Sequence, residues 1–260
     1  MTSDKKFIYL IKTDMNEFKQ LSTDQLETFN TEYVNGVFWD AIVDMIDKHF
    51  ETGKFTFLDI GGGNGVFSDR IINHYPLSEA IILDNAPNLI EINIQHPRKT
   101  IIMDSVENLE NYLNTYNVDI VFINWVLHHL VSDSYKKTRN NIVNTLKIIK
   151  NNKHIKYVSI FENMYNGIIF DSLPSKLIFH ITSFKFIKHF ARKMGANTAG
   201  VGVSFLSKKM WIKLLSKIFG KDNIYVIDFH FWEVPVVRKI FLHIKNIHMS
   251  LLWIKNNYEL

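Results

Sequence analysis

Glycines and an acidic residue make the stretch from Phe55 to Gly65 the first place in this chain to look for chemistry. It reads FTFLDIGGGNG, an apolar run followed by a turn with almost no side chains. Glycine reaches backbone angles that other residues avoid, and the N–H groups that open a following helix can donate to a bound nucleotide. The stretch therefore predicts a buried strand, a nucleotide-binding turn and a helix. The candidate binding residues are Asp59, Gly61, Gly62, Gly63 and Asn64.

The spacing of the glycines distinguishes this turn from the dinucleotide fingerprint G-x-G-x-x-G. That fingerprint would need glycine at position 66, which is Val66, whereas the glycines fall at positions 61, 63 and 65. FLDIGGGNG resembles motif I of the class I S-adenosylmethionine-dependent methyltransferases. The resemblance implies S-adenosyl-L-methionine as cofactor, S-adenosyl-L-homocysteine as product, and no metal ion.

Asp84 is the acid expected to hold the ribose. It ends the apolar run at 80–83, 19 residues beyond Gly65. An acid at the end of the second strand of a βαβ unit can accept both ribose hydroxyls of an adenosine. A helix-capping role ahead of Pro87 is the alternative, and both roles can coexist. The candidate cofactor contacts at this strand end are Asp84 and Asn85.

Two further apolar runs end on polar residues. Asp104 and Ser105 follow the run at 99–103, and the resemblance implies that this acid accepts from the adenine amine. Asn124 and Trp125 begin the segment after the next run, and open α/β sheets bind ligands at such strand ends. The segment continues as Leu-His-His-Leu and resembles the fourth-strand motif of small-molecule methyltransferases.

Histidine is the candidate for acid–base chemistry, because its charge changes near neutral pH. His129 is placed first and His128 second. Both are not expected to face one acceptor, because adjacent helical residues point about 100° apart. A packing role is the alternative for either. Glu162 ends the predicted fifth strand, and the resemblance places an aromatic residue, here Tyr33, over the cofactor. The candidate catalytic residues are His129, His128, Glu162 and Tyr33, and Tyr33 is also a candidate cofactor contact.

Four β–α units between residues 55 and 163 predict an α/β fold. The resemblance completes this as a Rossmann-like seven-stranded methyltransferase sheet with helices on both faces, N-terminal helices and a helical lid inserted after the fifth strand. One domain is expected over residues 1–260. Its predicted parts are an N-terminal helical cap (1–50), a cofactor-binding core (55–163), a helical lid (164–221) and closing strands (222–260).

Composition narrows the class of protein. Apolar residues make up 47% and charged residues 22% of the 260 residues, which is typical of a globular domain. The absence of cysteine excludes disulfides and zinc–thiolate sites and fits a reducing compartment. The apolar run at 7–11 is too short for a signal sequence, and no window is long enough for a membrane span. A cytoplasmic location is expected.

Charge is unevenly distributed along the chain. Residues 1–150 hold 14 Lys and Arg against 20 Asp and Glu, and residues 151–260 hold 16 against 6. A basic half can face RNA, an acidic substrate or an anionic membrane, but a solvated lysine surface is the favoured explanation. The apolar spacing at 173–194, with Lys185 and Lys188 on another face, predicts a basic amphipathic helix. A lid is favoured for it, and peripheral membrane contact stays open.

The favoured function is methyl transfer to an oxygen or nitrogen atom, less readily a carbon atom, of a small and partly hydrophobic acceptor. No Asp-Pro-Pro-Tyr run follows the fourth strand, which argues against methylation of DNA amino groups. An RNA or protein methyltransferase that uses the basic half is an alternative, with nucleic acid a less favoured partner. A cofactor-binding protein without methyl transfer is another. The chain is expected to be a monomer or a homodimer.

Overall fold

The computed structural model describes residues 7–9, 19, 34, 36–183 and 201–258. Eight strands lie in these ranges: β1 Phe7–Tyr9, β2 Thr56–Ile60, β3 Glu79–Asp84, β4 Lys99–Met103, β5 Ile120–Asn124, β6 Tyr157–Gly167, β7 Ile224–Trp232 and β8 Ile244–Lys255. The same ranges hold eight α-helices: α1 Gly36–His49, α2 Val66–His74, α3 Pro87–Glu91, α4 Leu109–Thr115, α5 Tyr135–Asn151, α6 Ser172–Ser183, α7 Lys208–Phe219 and α8 Val236–Leu242.

The strands form a single mixed sheet in the order β1-β4-β3-β2-β5-β6-β8-β7. Neighbours from β1 to β6 are parallel, and β8 pairs antiparallel with both β6 and β7. The α/β fold and the seven predicted strands are confirmed. Because the carboxyl ends of parallel strands meet at one edge, the polar residues that follow β2, β3, β4 and β5 are gathered there.

The strand that adds to the seven predicted ones is β1, and it lies in the segment expected to be a helical cap. Phe7 pairs with Ile101 and Tyr9 with Met103, so this short run extends the sheet beyond β4. The strand satisfies backbone groups that an exposed edge would otherwise leave unpaired. The first three residues of the run that is too short for a signal sequence are therefore part of the sheet.

Helices cover both faces of the sheet, as predicted. On one face, α4, α5 and α7 pack over the inner strands; on the other, α1 and α2 do so. Strand residues alternate between the faces because successive side chains point in opposite directions. The fully buried large side chains include Phe57, Phe122, Phe161, Ile42, Ile71 and Trp211.

β6 is longer than the predicted fifth strand. Its parallel pairing with β5 ends at Asn124 and Phe161, but its antiparallel pairing with β8 continues to Gly167 opposite Ile244. The antiparallel partner supplies the hydrogen bonds that β5 no longer provides, and the sequence of β6 alone does not reveal this. Glu162 is thus the first residue of β6 beyond its pairing with β5.

The predicted lid helix is described only in part. α6 covers its first half, and the cationic face expected at Lys185 and Lys188 lies outside the described residues. After β5 the chain forms α5, whose cap is Ser134; the Ser134 Oγ accepts from Lys137 N–H. No helix within the described ranges is long and apolar enough to cross a bilayer.

Two basic residues at the start of β4 hold α2 against the sheet. The Lys99 side chain is fully buried, and its Nζ lies 2.6 Å from Asp69 Oδ1 in the first turn of α2. At the other end of α2, the Arg98 guanidinium donates to the carbonyl oxygen of Ile72 at 2.7 Å. The helix that follows the glycine turn is therefore fixed at both ends.

We expect Asp69→Ala to lower the free energy of unfolding by about 3 kcal/mol, because it leaves a buried ammonium group unpaired. Lys99→Met should cost less, since it removes the charge and keeps most of the volume. Urea unfolding measures both. Lys156→Ala is the control, because Lys156 pairs with Asp119 with 62% of its side chain exposed, and its loss should cost less than about 1 kcal/mol. Equal costs for all three variants would contradict the interpretation.

Candidate active site

The glycine turn is shaped by side chains that approach its backbone closely. A Cβ at Gly62 would lie 2.5 Å from Asp59 Oδ2. Gly65 has a φ of 75°, and a Cβ there would lie 2.5 Å from the Asn93 amide. Asn93 is buried and donates from Nδ2 to Gly63 O at 2.9 Å. Only glycine fits at these two positions, and the turn leaves Gly61 exposed at the edge of the sheet.

Asp59 supports the turn from below. It is 2% exposed, and the Ser68 hydroxyl donates to its Oδ2 at 2.8 Å. Burial raises the pKa of Asp59 to about 7; the Ser68 hydrogen bond lowers it and the Asp84 charge raises it further. The predicted cofactor contact by Asp59 stays a prediction. In the structure Asp59 packs against Gly62 and accepts from Ser68, and so helps to fix the shape of the turn.

Asp84 joins the glycine turn to the next helix. Gly63 N–H donates to Asp84 Oδ2 at 2.9 Å, and Ala86 N–H, at the cap of α3, donates to Oδ1 at 2.7 Å. Asp84 is not the helix cap that the sequence offered as an alternative, because the N-cap residue of α3 is Ala86 and no side chain caps the helix. Each carboxylate oxygen has two acceptor positions, so one on each remains for a ribose hydroxyl. Burial raises the pKa of Asp84 to about 6, opposed by the N–H groups of Ala86, Gly63 and Asn85.

The carboxylate of Asp104 already accepts hydrogen bonds from the residues that follow it. It accepts from Ser105 N–H at 2.7 Å, from Asn108 Nδ2 at 3.0 and 2.9 Å, and from Tyr112 Oη at 2.5 Å. These bonds use the four acceptor positions of a carboxylate. These bonds give Asp104 a structural role in its own loop, and the expected bond to the adenine amine stays a prediction. Ser105 is buried, and its Oγ accepts from Glu107 N–H.

The chain bends sharply where β5 ends. Trp125 has a φ of 55°, which is uncommon for a residue with a side chain. Its backbone N–H donates to Phe161 O at 2.8 Å, and its indole N–H donates to Asn163 Oδ1 at 3.2 Å. Beside it, both amide atoms of Asn124 are buried with no hydrogen-bond partner among the described residues. A buried amide of this kind needs a polar partner, which a bound ligand or a water molecule can supply, because leaving it unpaired is costly.

His128 and Glu162 form a buried pair at this edge. His128 Nδ1 lies 2.7 Å from Glu162 Oε2, and the two residues are 5% and 1% exposed. When Nδ1–H donates to the carboxylate, the basic lone pair of the neutral ring lies on Nε2. The Phe205 ring stacks on the imidazole, with centroids 4.4 Å apart. The ring is therefore held in orientation by an acid and an aromatic plane.

His129 occupies a different environment. Its ring centroid is 4.0 Å from that of His128, and burial, assisted by the neighbouring His128, lowers the pKa of His129 well below its usual value. His129 is therefore neutral near pH 7. The sequence placed His129 ahead of His128, but the carboxylate that can orient a base contacts His128. The catalytic role of either histidine stays a prediction.

The predicted site residues within the described ranges lie at one edge of the sheet, and Tyr33 lies outside those ranges. Asn85 is exposed beside Asp84, and the Asn64 side chain accepts from Val66 N–H at 3.2 Å. In the part of the chain that the structure describes, no three His, Asp or Glu side chains are grouped to hold a metal ion. Four further residues contact the site but belong to no recognisable sequence motif, because only the tertiary fold brings them there: Ser68, Asn93, Asn163 and Phe205.

Comparison with known proteins shows partial similarity to two curated methyltransferases. The chain is 30% identical over 107 residues to Flavonoid 3'-O-methyltransferase 3 of Mentha piperita, covering 40% of this chain and 27% of that protein. It is 30% identical over 80 residues to Malonyl-[acyl-carrier protein] O-methyltransferase 1 of Ilyobacter polytropus, covering 29% of each. The chain thus matches less than a third of the length of either relative.

Similarity of fold extends further than similarity of sequence. The plantazolicin methyltransferase BamL, solved with a triazolic desmethylPZN analog and SAH, superimposes with a TM-score of 0.51 at 12% identity, covering 90% of this chain and 89% of BamL. A family model described as an O-methyltransferase domain matches residues 4–160, which is more than half of the chain. The sheet, the glycine turn and this match lead to one assignment: the chain belongs to the O-methyltransferase domain family.

Proposed function

We propose that the protein transfers the methyl group of S-adenosylmethionine to an oxygen atom of a small, partly hydrophobic acceptor. The observation that carries the proposal is the buried pair of His128 and Glu162, set at the edge of the sheet where the glycine turn also lies. The sequence left oxygen and nitrogen acceptors open, and the family match favours oxygen.

The residues at the turn fit the cofactor. Asp84 has acceptor positions for the ribose, the exposed backbone at Gly61 can approach a ligand, and the buried amide of Asn124 lacks a partner within the described residues. When bound, S-adenosylmethionine supplies a methyl group already activated by a positively charged sulfur. The protein therefore needs to hold the acceptor oxygen roughly 3 Å from the methyl carbon, in line with the sulfur.

His128 is the proposed base. His128 Nε2 would accept the proton of the acceptor oxygen as that oxygen takes up the methyl group, which S-adenosylmethionine would supply. Glu162 stabilises the imidazolium that forms, because a carboxylate at Nδ1 favours the charged ring. Pairing also makes the burial of Glu162 tolerable.

Aromatic side chains around the pair support a partly hydrophobic acceptor. Phe205 stacks between His128 and Tyr165, with the Tyr165 ring 4.5 Å from it. The Trp125 ring lies 4.5 Å from that of Phe161 on the other side of the bend. Such surroundings exclude water, which would otherwise compete with the acceptor oxygen for the methyl group.

A transfer assay tests the function directly. Labelled S-adenosylmethionine is incubated with the protein and a panel of phenols and carboxylic acids, chosen because the curated relatives are named for a flavonoid and a malonyl group. We expect labelled product and stoichiometric S-adenosylhomocysteine with at least one acceptor. Binding of the cofactor without product across the panel would favour the alternative of a cofactor-binding protein.

We expect Asp84→Ala to weaken S-adenosylhomocysteine binding by about 1 to 3 kcal/mol, because the ribose hydroxyls lose their acceptor. Asp104→Ala should weaken it less, since the Asp104 carboxylate is filled by Ser105, Asn108 and Tyr112. Calorimetry measures both, with thermal unfolding of the free proteins as the check on folding. NAD is the matched control ligand and should not bind. An Asp104 effect larger than that of Asp84 would contradict the assignment of the ribose contact.

The raised pKa of Asp84, about 6, predicts a pH dependence of cofactor binding. The ionised carboxylate accepts from the ribose, so affinity is complete above this pKa and should fall by up to about tenfold for each pH unit below it. Calorimetric titrations at several pH values measure the profile. In Asp84→Asn the titrating group is gone and affinity should stay flat across the same range. An unchanged profile in Asp84→Asn would assign the dependence to another group.

His128→Ala is expected to lower turnover by on the order of 10²- to 10⁴-fold while leaving S-adenosylhomocysteine affinity nearly intact, as for loss of a general base. Glu162→Gln should lower turnover as well, since it removes the charge that stabilises the imidazolium. His129→Ala is the matched control, because the Glu162 carboxylate contacts the neighbouring His128, and this variant should keep most of its turnover per folded molecule. Full activity of His128→Ala would leave positioning alone to explain transfer.

A further inference from the structure

The outer side of α8 exposes an unusual number of apolar side chains. Val236, Val237, Ile240 and Phe241 are 70%, 63%, 65% and 74% exposed. At 100° per residue these four positions span an arc of about 140° on the helix. The opposite side carries Leu242, which packs on the buried cluster that includes Ile244. α8 is therefore an amphipathic helix that turns its apolar side outward.

A second apolar segment adjoins this helix. Ile168, Ile169 and Phe170, directly after β6, are 51%, 71% and 66% exposed. Ile168 N–H donates to His243 O, one residue beyond α8, at 2.9 Å, so the two segments are joined by the backbone. Contiguous exposed apolar surface of this kind marks an interaction site on a globular protein. We call the seven residues the rim patch: Ile168, Ile169, Phe170, Val236, Val237, Ile240 and Phe241.

Positive charge flanks α8, whereas the other segment of the rim patch is followed by Asp171, whose Oδ2 lies 3.9 Å from Lys209 Nζ. Arg238 and Lys239 lie at about 60° beyond the two ends of the apolar arc, one on each side, and α8 has no acidic residue. Over residues 201–258 the chain holds nine Lys and Arg against three Asp and Glu. Long cationic side chains that flank an apolar helix face can place their stems on the apolar surface and their charges among anionic headgroups. This combination is complementary to an anionic bilayer.

The rim patch lies at the edge of the sheet that carries the candidate active site. Gly167, at the end of β6, pairs with Ile244 at the start of β8, directly after α8. Glu162 is five residues earlier on the same strand, a distance of about 16 Å at 3.3 Å per residue. A surface held on the rim patch is therefore close to the site without covering the His128 and Glu162 pair.

We propose that the rim patch docks the protein on the surface of an anionic lipid bilayer. Val236, Val237, Ile240 and Phe241 enter the boundary between headgroups and acyl chains, together with the 168–170 segment, while Lys239 contacts the headgroups. This is attachment to one leaflet by a short surface helix. The proposal does not depend on methyl transfer, because the surface and the site use different residues.

Sedimentation with vesicles tests the docking. The full chain is mixed with vesicles of phosphatidylcholine alone, or of phosphatidylcholine with about 30 mol% phosphatidylglycerol, a content that gives a negative surface potential. We expect binding to the anionic vesicles and much weaker binding to the neutral ones. The double variant Ile240→Ser with Phe241→Ser should lose at least tenfold in partitioning. Because both side chains are mostly exposed, its thermal unfolding and S-adenosylhomocysteine binding should be unchanged.

Leu77→Ser is the matched control. Leu77 is 62% exposed but lies in the turn before β3, at the opposite edge of the sheet, and its loss should not change vesicle binding. Lys239→Glu tests the charge, and it should weaken binding to anionic vesicles by about fivefold or more, the effect of about 1 kcal/mol per cation. Its binding to neutral vesicles should not change.

Three outcomes would overturn the proposal. The first is no binding of the full chain to anionic vesicles, and the second is binding that Leu77→Ser reduces as much as the double variant does. The third is a dimer in sedimentation velocity that the double variant dissociates, without vesicle binding, which would assign the rim patch to a second copy of the chain.

Discussion

A carboxylate and an imidazole that lie 2.7 Å apart and almost out of contact with water constrain much of this structure. A buried carboxylate is costly unless a donor satisfies it, so Glu162 and His128 each require the other. The pairing is possible only because β6 continues past the end of β5, which brings Glu162 beside the segment that follows β5. The unusual φ of Trp125 then turns that segment back over the strand end. The length of β6, the bend at Trp125 and the pairing of His128 with Glu162 therefore depend on one another.

The parts of the fold that the sequence predicts are those with local causes. Apolar runs that end on polar residues give the parallel strands, and the spacing of Gly61, Gly63 and Gly65 gives the turn between β2 and α2. The position of Asp84 also follows, because a βαβ unit fixes where its second strand ends. Within the described ranges, these local patterns are enough to place the turn and most of the strand ends at one edge.

What the sequence could not predict depends on contacts between distant residues. The hydrogen bonds that Asp104 accepts from Asn108 and Tyr112 are one example, since no motif in the sequence indicates them. The choice between His128 and His129 is hidden for the same reason, since Glu162 is 34 residues away from His128 in sequence. β1 is missed because three apolar residues carry no periodicity, and their pairing with β4 is defined only once the sheet exists.

The order of strands at the far end of the sheet has a consequence for how the molecule folds. β8 follows β7 in the chain, yet it lies between β6 and β7 and supplies the partner for the whole length of β6. Phe161 pairs with Leu251, a contact between residues 90 positions apart, and such long-range pairing slows folding because a large loop must close first. During synthesis β6 therefore waits with an unpaired edge until β8 has left the ribosome. A nascent chain that ends before residue 244 leaves one edge of β6 unpaired, and unpaired strand edges favour aggregation.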